Sequence, residues 1–234
     1  MALELSGWRD SSKSAGNRRL RPRIRHRNRG QIVLAGVNLL LWHGERVGLV
    51  GPNETGKSVL FRLILGEDED EAAIAIGPSV NVGYYAQQHE TLDYNLTLIE
   101  TIRNAAPLSE PNAVNFLGRF LFTYEQARSK VSTLSGGERS RLQMALLMLS
   151  NANCLLLDEP TNNLDIASVE VLEDVLTDFE GTVLVISHDR YFLDRVVGRI
   201  ADLEDGAVTE YIGGYSDFQA EKAERKRRQR TKRR

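Results

Sequence analysis

Residues 51–58 read GPNETGKS and fit the pattern G-x-x-x-x-G-K-[ST]. The apolar run RVGLV at 46–50 predicts a strand directly before them, and SVLFRLIL at 58–65 has the apolar spacing of a helix. A loop of this kind between a strand and a helix binds phosphate, because its backbone N–H groups and the helix N-terminus face the anion. The pattern therefore predicts that Lys57 reaches the phosphates and that the Ser58 hydroxyl binds Mg²⁺.

Glu54, in the middle of this loop, places a carboxylate where a polyphosphate would bind. Two unit charges about 4 Å apart interact by about 4 kcal/mol at an effective dielectric constant of roughly 20. Glycine at such a position permits a positive φ and a close approach of phosphate, and both are harder for glutamate. We therefore predict that nucleotide binds weakly or exchanges rapidly at this loop.

The composition is that of a globular protein. The chain has 234 residues, 41% of them hydrophobic, which is enough for one domain or for one domain with a small subdomain. No apolar run approaches the roughly 18 residues that span a bilayer, and the N-terminal MALELSGWRD lacks the basic-then-apolar order of a secretory signal. These features predict a cytoplasmic protein. The single cysteine, Cys154, excludes an intrachain disulfide and is expected to be a buried small hydrophobe.

Basic residues are concentrated in two segments, although the net charge is −2. Residues 18–29 contain seven Arg and no acid, and residues 222–234 contain nine Lys or Arg and one Glu. Such clusters suit a nucleic-acid backbone or an anionic membrane surface. A solvated tail with no partner is the alternative interpretation.

The order of elements predicts an α/β fold with a mainly parallel sheet. The runs CLLLDE (154–159) and TVLVISH (182–188) are nearly continuously apolar, as expected for strands covered on both faces. Helical spacing at 97–105 and 112–127 predicts a mainly helical insert. The apolar stretch at 32–41 predicts one strand.

Two further motifs favour nucleotide chemistry. Asp158 and Glu159 end a predicted core strand, where one carboxylate can bind Mg²⁺ and the next can orient and deprotonate a water molecule. Alternatively, the two acids only mark the exit of the strand into solvent. Residues 134–138, LSGGE, expose backbone N–H groups at the positive end of a helix, although alone they would be a plain N-cap.

Together these motifs resemble those of ATP-binding cassette (ABC) ATPases over roughly residues 30–215. GPNETGKS is similar to their Walker A motif, LSGGE to their signature, and CLLLDEP to their Walker B motif with its catalytic glutamate. NNLD at 162–165 is similar to the D-loop, while Gln87 and His188 occupy the positions of the Q-loop glutamine and the switch histidine.

This resemblance implies an ABC-type P-loop NTPase domain. It would have a mainly parallel core sheet, an antiparallel β subdomain and a helical subdomain at about 92–133. An Arg-rich N-terminal segment at 1–29 and a basic tail at 216–234, for which a helix is expected, would flank the ATPase domain at 30–215.

The resemblance also implies Mg²⁺-dependent binding and hydrolysis of ATP. The catalytic positions are Lys57, Gln87, Glu159 and His188, and the metal positions are Ser58, Gln87 and Asp158. The implied nucleotide contacts are Gly51, Pro52, Asn53, Glu54, Thr55, Gly56, Lys57, Ser58 and Val59 of the loop, with Ser135, Gly136, Gly137, Glu138 and Asp165 at an interface between two cassettes.

Within the superfamily, the segments LDEPTNNLDI and GTVLVISHDRYFLDRV are similar to the ABC-F subfamily, most of all to its second cassette. Those proteins lack membrane domains and act on ribosomes in translation or antibiotic resistance. The implied partners are a second cassette, in a homodimer or a partner chain, and ribosomal RNA. Two alternatives stay open: the ATPase subunit of a membrane transporter, and a degenerate cassette that binds RNA or a partner with little ATP turnover.

Overall fold

The computed structural model describes residues 2–5, 24–28, 31–67, 74–85, 92–162 and 164–232. It divides the chain into two compact units, one of Met1–Val80 with Val197–Arg234 and the other of Asn81–Val196. The strands, in chain order, are β1 (Ala2–Leu5), β2 (Ile24–Asn28), β3 (Gln31–Val37), β4 (Leu39–Trp42), β5 (Arg46–Val50), β6 (Ala75–Ile76), β7 (Val82–Tyr85), β8 (Cys154–Asp158), β9 (Thr182–Ile186), β10 (Arg199–Glu204) and β11 (Ala207–Ile212). The α-helices are α1 (Lys57–Leu65), α2 (Leu98–Ala105), α3 (Glu110–Arg119), α4 (Tyr124–Ala127), α5 (Gly136–Leu149), α6 (Ile166–Asp178), α7 (Arg190–Val196) and α8 (Tyr215–Lys232).

In the first unit, β5 carries the chain into the loop at 51–56. β5 pairs in parallel with β10, and Val50 lies opposite Asp202 at the end of the ladder. β10 then turns through Asp205 and Gly206 into β11, with which it pairs antiparallel. Because β5 and the middle of β10 are buried, the strand that positions the loop is part of the core.

The predicted single strand at 32–41 is wrong, because the structure divides it into β3 and β4. β3 pairs antiparallel with β2, whereas β4 pairs antiparallel with β1, which also pairs with β6. The break lies at Asn38, a residue type that is depleted in strands. The apolar pattern continues across the break, since Val37 and Leu39 are both buried, so hydrophobicity alone did not reveal it.

The second unit contains a parallel sheet in the order β7, β8, β9. Cys154 at the start of β8 lies opposite Val82 on one side and Thr182 on the other. β9 is buried throughout and β8 is buried up to Asp158, which explains their continuous apolar sequences. The predicted α/β class with mainly parallel pairing is confirmed.

The second unit also holds α2, which lies in the stretch predicted as helical at 97–105, and the two helices α3 and α4, which divide the helical spacing predicted at 112–127. α3 ends at Arg119, and Leu121 adopts a positive φ of 61° in the turn that follows. Thr123 then caps α4 in a capping box with Gln126. The side chain of a Ser, Thr or Asn residue competes with the helical backbone in this way, so an apolar periodicity of 3.6 residues can continue through a helix boundary.

The tail from Tyr215 to Lys232 is the helix α8. Its mean hydropathy is low because Lys, Arg, Glu and Gln make up most of it. Within the described ranges, none of the helices combines the length and the apolar composition that crossing a membrane requires.

Candidate nucleotide site

The loop after β5 is shaped by three residues with positive φ. Gly51 has φ +148°, and a Cβ atom built on it would lie 2.2 Å from the carbonyl oxygen of Leu203. Gly56, with φ 94°, begins α1 at the other end of the loop. Between them, Glu54 has φ 64°, a left-handed conformation that costs a residue with a Cβ atom about 1–2 kcal/mol.

Lys57 closes this loop from the first turn of α1. Its side chain is nearly buried, and Nζ donates hydrogen bonds to the carbonyl oxygens of Gly51 (3.0 Å) and Pro52 (2.8 Å). The Thr55 hydroxyl donates to the same Pro52 oxygen at 2.9 Å. These bonds fix a positive charge against the loop, which is where a phosphate group needs one.

The other loop positions differ in exposure. Glu54 and Ser58 are exposed, whereas Val59 is buried in the face of α1 that packs on the core. Among the described residues Glu54 has no ion pair, and the bonds of Lys57 at the loop go to backbone oxygens. The carboxylate is therefore not neutralised by the lysine of its own loop.

Glu159 and His188 come together in the second unit, at the carboxyl ends of β8 and β9. The Glu159 N–H donates to the Ile186 carbonyl oxygen at 2.9 Å, which ties the two strand ends together. Glu159 Oε2 accepts from the His188 N–H at 3.2 Å, and Oε1 lies 3.4 Å from His188 Nε2. Since the His188 side chain is 63% exposed and that of Glu159 only 14%, the histidine faces solvent and the carboxylate is shielded.

Glu159 has a positive φ of 49°, which is unusual for a residue with a Cβ atom. Strained backbone of this kind persists where surrounding bonds hold it, and here the strand-end bond to Ile186 and the contact with His188 do so. Asp158, the residue before it, is half-buried at the end of β8.

The signature segment forms a complete capping box at the start of α5. The Glu138 N–H donates to Ser135 Oγ at 3.3 Å, and Glu138 Oε2 accepts from both the N–H and the hydroxyl of Ser135 at 2.8 Å. Hydrogen bonds from the Ser135 backbone and then from its hydroxyl lower the pKa of the Glu138 carboxyl. Gln126 adds a bond of 2.7 Å to Oε1, which connects α4 to the signature. Gly136 and Gly137 form the first turn of α5.

Asp165 has a structural role that the sequence motif did not predict. Its carboxylate accepts from the Ser168 N–H at 2.8 Å and caps α6. The hydrogen bonds with Ser168 lower the pKa of Asp165. Gln87 lies outside the described residues, within 86–91.

Sequence reasoning missed Ser187 and Asp189 beside His188. Asp189 accepts from the Tyr191 and Phe192 N–H groups at 3.0 and 3.1 Å, and so begins α7. The buried Ser187 hydroxyl accepts from the Asp189 N–H at 3.0 Å. An Asp directly before a helical pattern is an N-cap signal that was available in the sequence.

Comparison with protein families identifies the class of domain to which these elements belong. The family model described as ABC transporter matches residues 34–162, which include the phosphate loop, the signature and the Asp158–Glu159 pair. The chain belongs to the ABC transporter family. The predicted identity as an ABC ATPase cassette is thereby confirmed.

Its relatives include ATP-binding proteins of bacteria and ABC transporter F family members of a plant. The putative ATP-binding protein YdiF of Bacillus subtilis is 40% identical over 92% of this chain and 34% of that protein. ABC transporter F family member 5 of Arabidopsis thaliana is 38% identical over 80% of this chain and 28% of that protein. ATP-binding protein Uup of Escherichia coli is 37% identical over 80% of this chain and 31% of that protein. The chain is a cassette of the ABC-F type and spans about a third of the length of these relatives.

A solved structure titled as the ATP-binding subunit of an ABC transporter shares the fold of this cassette. Its TM-score is 0.72 at 23% sequence identity, and the match covers 91% of this chain and 90% of that chain. At this identity the likeness shows the fold alone.

The close contact of Gly51 with Leu203 generates a first prediction. We expect Gly51→Ala to lower the free energy of unfolding by about 1–3 kcal/mol, because the new methyl group meets a backbone oxygen that cannot rotate away. Gly118→Ala is the matched control: it lies in α3 with open space around it, and we expect it to stabilise by about 0.5–1 kcal/mol. Urea unfolding followed by circular dichroism measures both changes. Equal stability of the two variants would contradict the assigned role of Gly51.

Proposed function

We propose that this cassette binds and hydrolyses Mg·ATP, and that it does so in a pair with a second cassette. The observation that supports ATP binding is the geometry of the loop at 51–57. Gly51 lets the backbone pass close to the carbonyl oxygen of Leu203, and Lys57 is held at the loop by two carbonyl oxygens. An α-helix begins at the end of this loop, and its N-terminal N–H groups favour an anion. Membership in the ABC family agrees with this assignment.

The contact of Glu159 with His188 supports hydrolysis. A shielded carboxylate is suited to orient the attacking water and to accept its proton, and the exposed His188 is suited to contact the γ-phosphate. Mg²⁺ would be held by Ser58 and Asp158, with Gln87, and it would neutralise negative charge on the phosphates. Hydroxyl and carboxylate oxygens are the ligands that this hard cation prefers.

The second cassette would contribute its signature to the site. The capping box fixes the start of α5, so the N–H groups of Gly136 and Gly137 and the Ser135 hydroxyl are presented at the positive end of a helix. A phosphate offered by the partner cassette would be bound there. The cassette pair is then closed by ATP and reopened by hydrolysis.

The Glu159→Gln variant tests the hydrolytic role. We expect turnover to fall by about a hundredfold or more, because removal of a general base typically costs 10²–10⁴-fold. ATP binding should persist, and light scattering should detect an ATP-bound dimer that no longer dissociates. Glu180→Gln, an exposed carboxylate outside the helices and strands, is the control and should keep native turnover. Unchanged turnover of Glu159→Gln would show that the residue has another role.

We further propose that Glu54 weakens nucleotide binding through both its charge and its backbone conformation. The carboxylate has no ion pair among the described residues, and its φ of 64° suits glycine. Two variants separate the two effects: Glu54→Gln removes the charge and keeps the Cβ atom, and Glu54→Gly removes both.

We expect Glu54→Gly to bind ATP about tenfold more tightly than the native chain, which corresponds to about 1.4 kcal/mol, with Glu54→Gln between them. Titration calorimetry with Mg·ATP on Glu159→Gln backgrounds measures the three affinities without turnover. Equal Mg·ATP affinities of the three chains would contradict the proposal.

We propose that the partner of the cassette is ribosomal RNA, in translation or antibiotic resistance in the cytoplasm. The support is the ABC-F type of the cassette together with the basic helix α8. Arg227 and Arg230 are exposed on this helix and have no side-chain partner among the described residues. Neutralising phosphates with such side chains releases counterions, so binding should weaken as salt rises.

The double variant Arg227→Gln/Arg230→Gln tests this partner. We expect ribosome cosedimentation to weaken. The slope of the logarithm of the binding constant against the logarithm of salt concentration should become shallower by about 1–2. Arg62→Gln/Lys130→Gln removes two exposed cations elsewhere and is the control. An equal effect of both variants, or copurification with an integral membrane protein in detergent instead, would favour another partner.

A further inference from the structure

The basic helix α8 is anchored to the first unit by an aromatic cluster. Phe218 is almost fully buried, and its ring lies 5.0 Å from that of Tyr211 on β11 and 5.5 Å from that of Tyr215. The guanidinium of Arg225 lies 4.5 Å above the Tyr211 ring. Burial and ring contacts of this kind hold about the first three turns of α8 in one place.

Lys222, one turn after Phe218, binds two carboxylates of β10. Its Nζ contacts Asp202 Oδ2 in a hydrogen-bonded ion pair and Glu204 Oε2 at 3.0 Å. Partial burial disfavours the charged form of Lys222, but the hydrogen bonds to Asp202 and Glu204 outweigh it and raise the pKa of the ammonium. Hydrogen bonding to Lys222 in turn lowers the pKa of Glu204.

Asp202 depends on this lysine for compensation of its charge. The residue is 3% exposed, and its Oδ1 has no hydrogen-bond partner among the described atoms. Removing one partner of a buried ion pair leaves a buried charge without compensation, which is far more costly than the loss of the attraction itself. Lys222 therefore determines whether this stretch of β10 can keep its place.

The same stretch of β10 supports the phosphate loop. Asp202 lies opposite Val50, the last residue before the loop, and the carbonyl oxygen of Leu203 is the atom that Gly51 packs against. Leu203 stands between the two residues that Lys222 binds. A shift of this segment thus changes the backbone position at which the loop begins.

We propose that Lys222 is a positioning residue for the phosphate loop, and that it acts through Asp202, Glu204 and the intervening Leu203. The basic helix α8 is thereby coupled to nucleotide binding, because Lys222 on this helix positions the loop that would hold the phosphates. The effect on nucleotide rests on the proposed ATP binding, whereas the effect on the loop backbone does not.

Amide hydrogen exchange without nucleotide tests the effect on the loop. In Lys222→Met we expect exchange at residue 51 and at residues 53–57 to accelerate about three- to tenfold, which lies within the range of coupling carried by packed networks. Arg228→Met is the matched control, because it breaks the α8 ion pair with Glu224 and leaves the β10 contacts intact. Its loop exchange should equal that of the native chain.

Two rescue variants distinguish positioning from general destabilisation. Lys222→Arg keeps the charge and should retain native exchange. Asp202→Asn/Lys222→Met removes both charges and should restore slow loop exchange, because the carboxylate then left without the lysine is that of Glu204, which is exposed to solvent. Unchanged loop exchange in Lys222→Met, or a double variant no slower than Lys222→Met, would overturn the proposal.

The Mg·ATP dissociation constant of the same variants on Glu159→Gln backgrounds tests the effect on binding. We expect a weakening of about three- to tenfold in Lys222→Met, native affinity in Lys222→Arg, and recovery in the double variant. If the native chain binds no Mg·ATP, the proposed function fails, and the exchange data still decide the role of Lys222. Accelerated loop exchange with unaltered ATP affinity would overturn the coupling to nucleotide.

Discussion

The contact between the backbone of Gly51 and the carbonyl oxygen of Leu203 is the constraint on which the phosphate loop depends. β5 is buried and pairs with β10 up to Val50 and Asp202, so the chain enters the loop from a fixed point. A side chain at 51 would occupy the space of a backbone oxygen, which a rotamer change cannot clear. Because the first residue of the loop cannot move outward, Pro52 comes within reach of the Lys57 ammonium, and the loop closes on itself.

Glu54 bears on the proposed nucleotide binding of this loop. It has a positive φ that glycine would adopt without strain, and its carboxylate would add a negative charge beside a bound phosphate. Its exposure lets solvent screen part of this charge, so the penalty is smaller than the value for two charges in the interior. If Glu54 weakens nucleotide binding as proposed, partner binding would contribute more than nucleotide alone to closing the proposed cassette pair.

The sequence predicted the fold class and the main motifs because these depend on local patterns. The runs at 46–50, 154–158 and 182–186 are strands, since continuous apolar segments of that length suit buried parallel strands. Glu159 and His188 are adjacent because both follow neighbouring strands of one sheet.

The element boundaries that the sequence analysis missed have a different cause, since apolar periodicity contains no information about hydrogen-bond partners. The break at Asn38 depends on β3 and β4 pairing with different strands, and the break before Thr123 depends on a capping box. The contact of Lys222 with Asp202 joins residues twenty positions apart through side chains alone, and no local pattern marks it.

The helix N-termini of this cassette show how one physical requirement serves both folding and function. α2, α3, α4, α5 and α6 each begin with a Ser, Thr or Asp side chain that accepts a bond from a free backbone N–H group. α1 begins instead with Gly56, which has no side-chain cap, and its first turn contains no acid. In the proposed site, a phosphate oxygen would supply at this terminus the negative charge that a cap supplies elsewhere. Glycine at the start of α1 therefore fits the proposed nucleotide binding, since a Ser or Asp there would cap the terminus and would compete with a nucleotide for it.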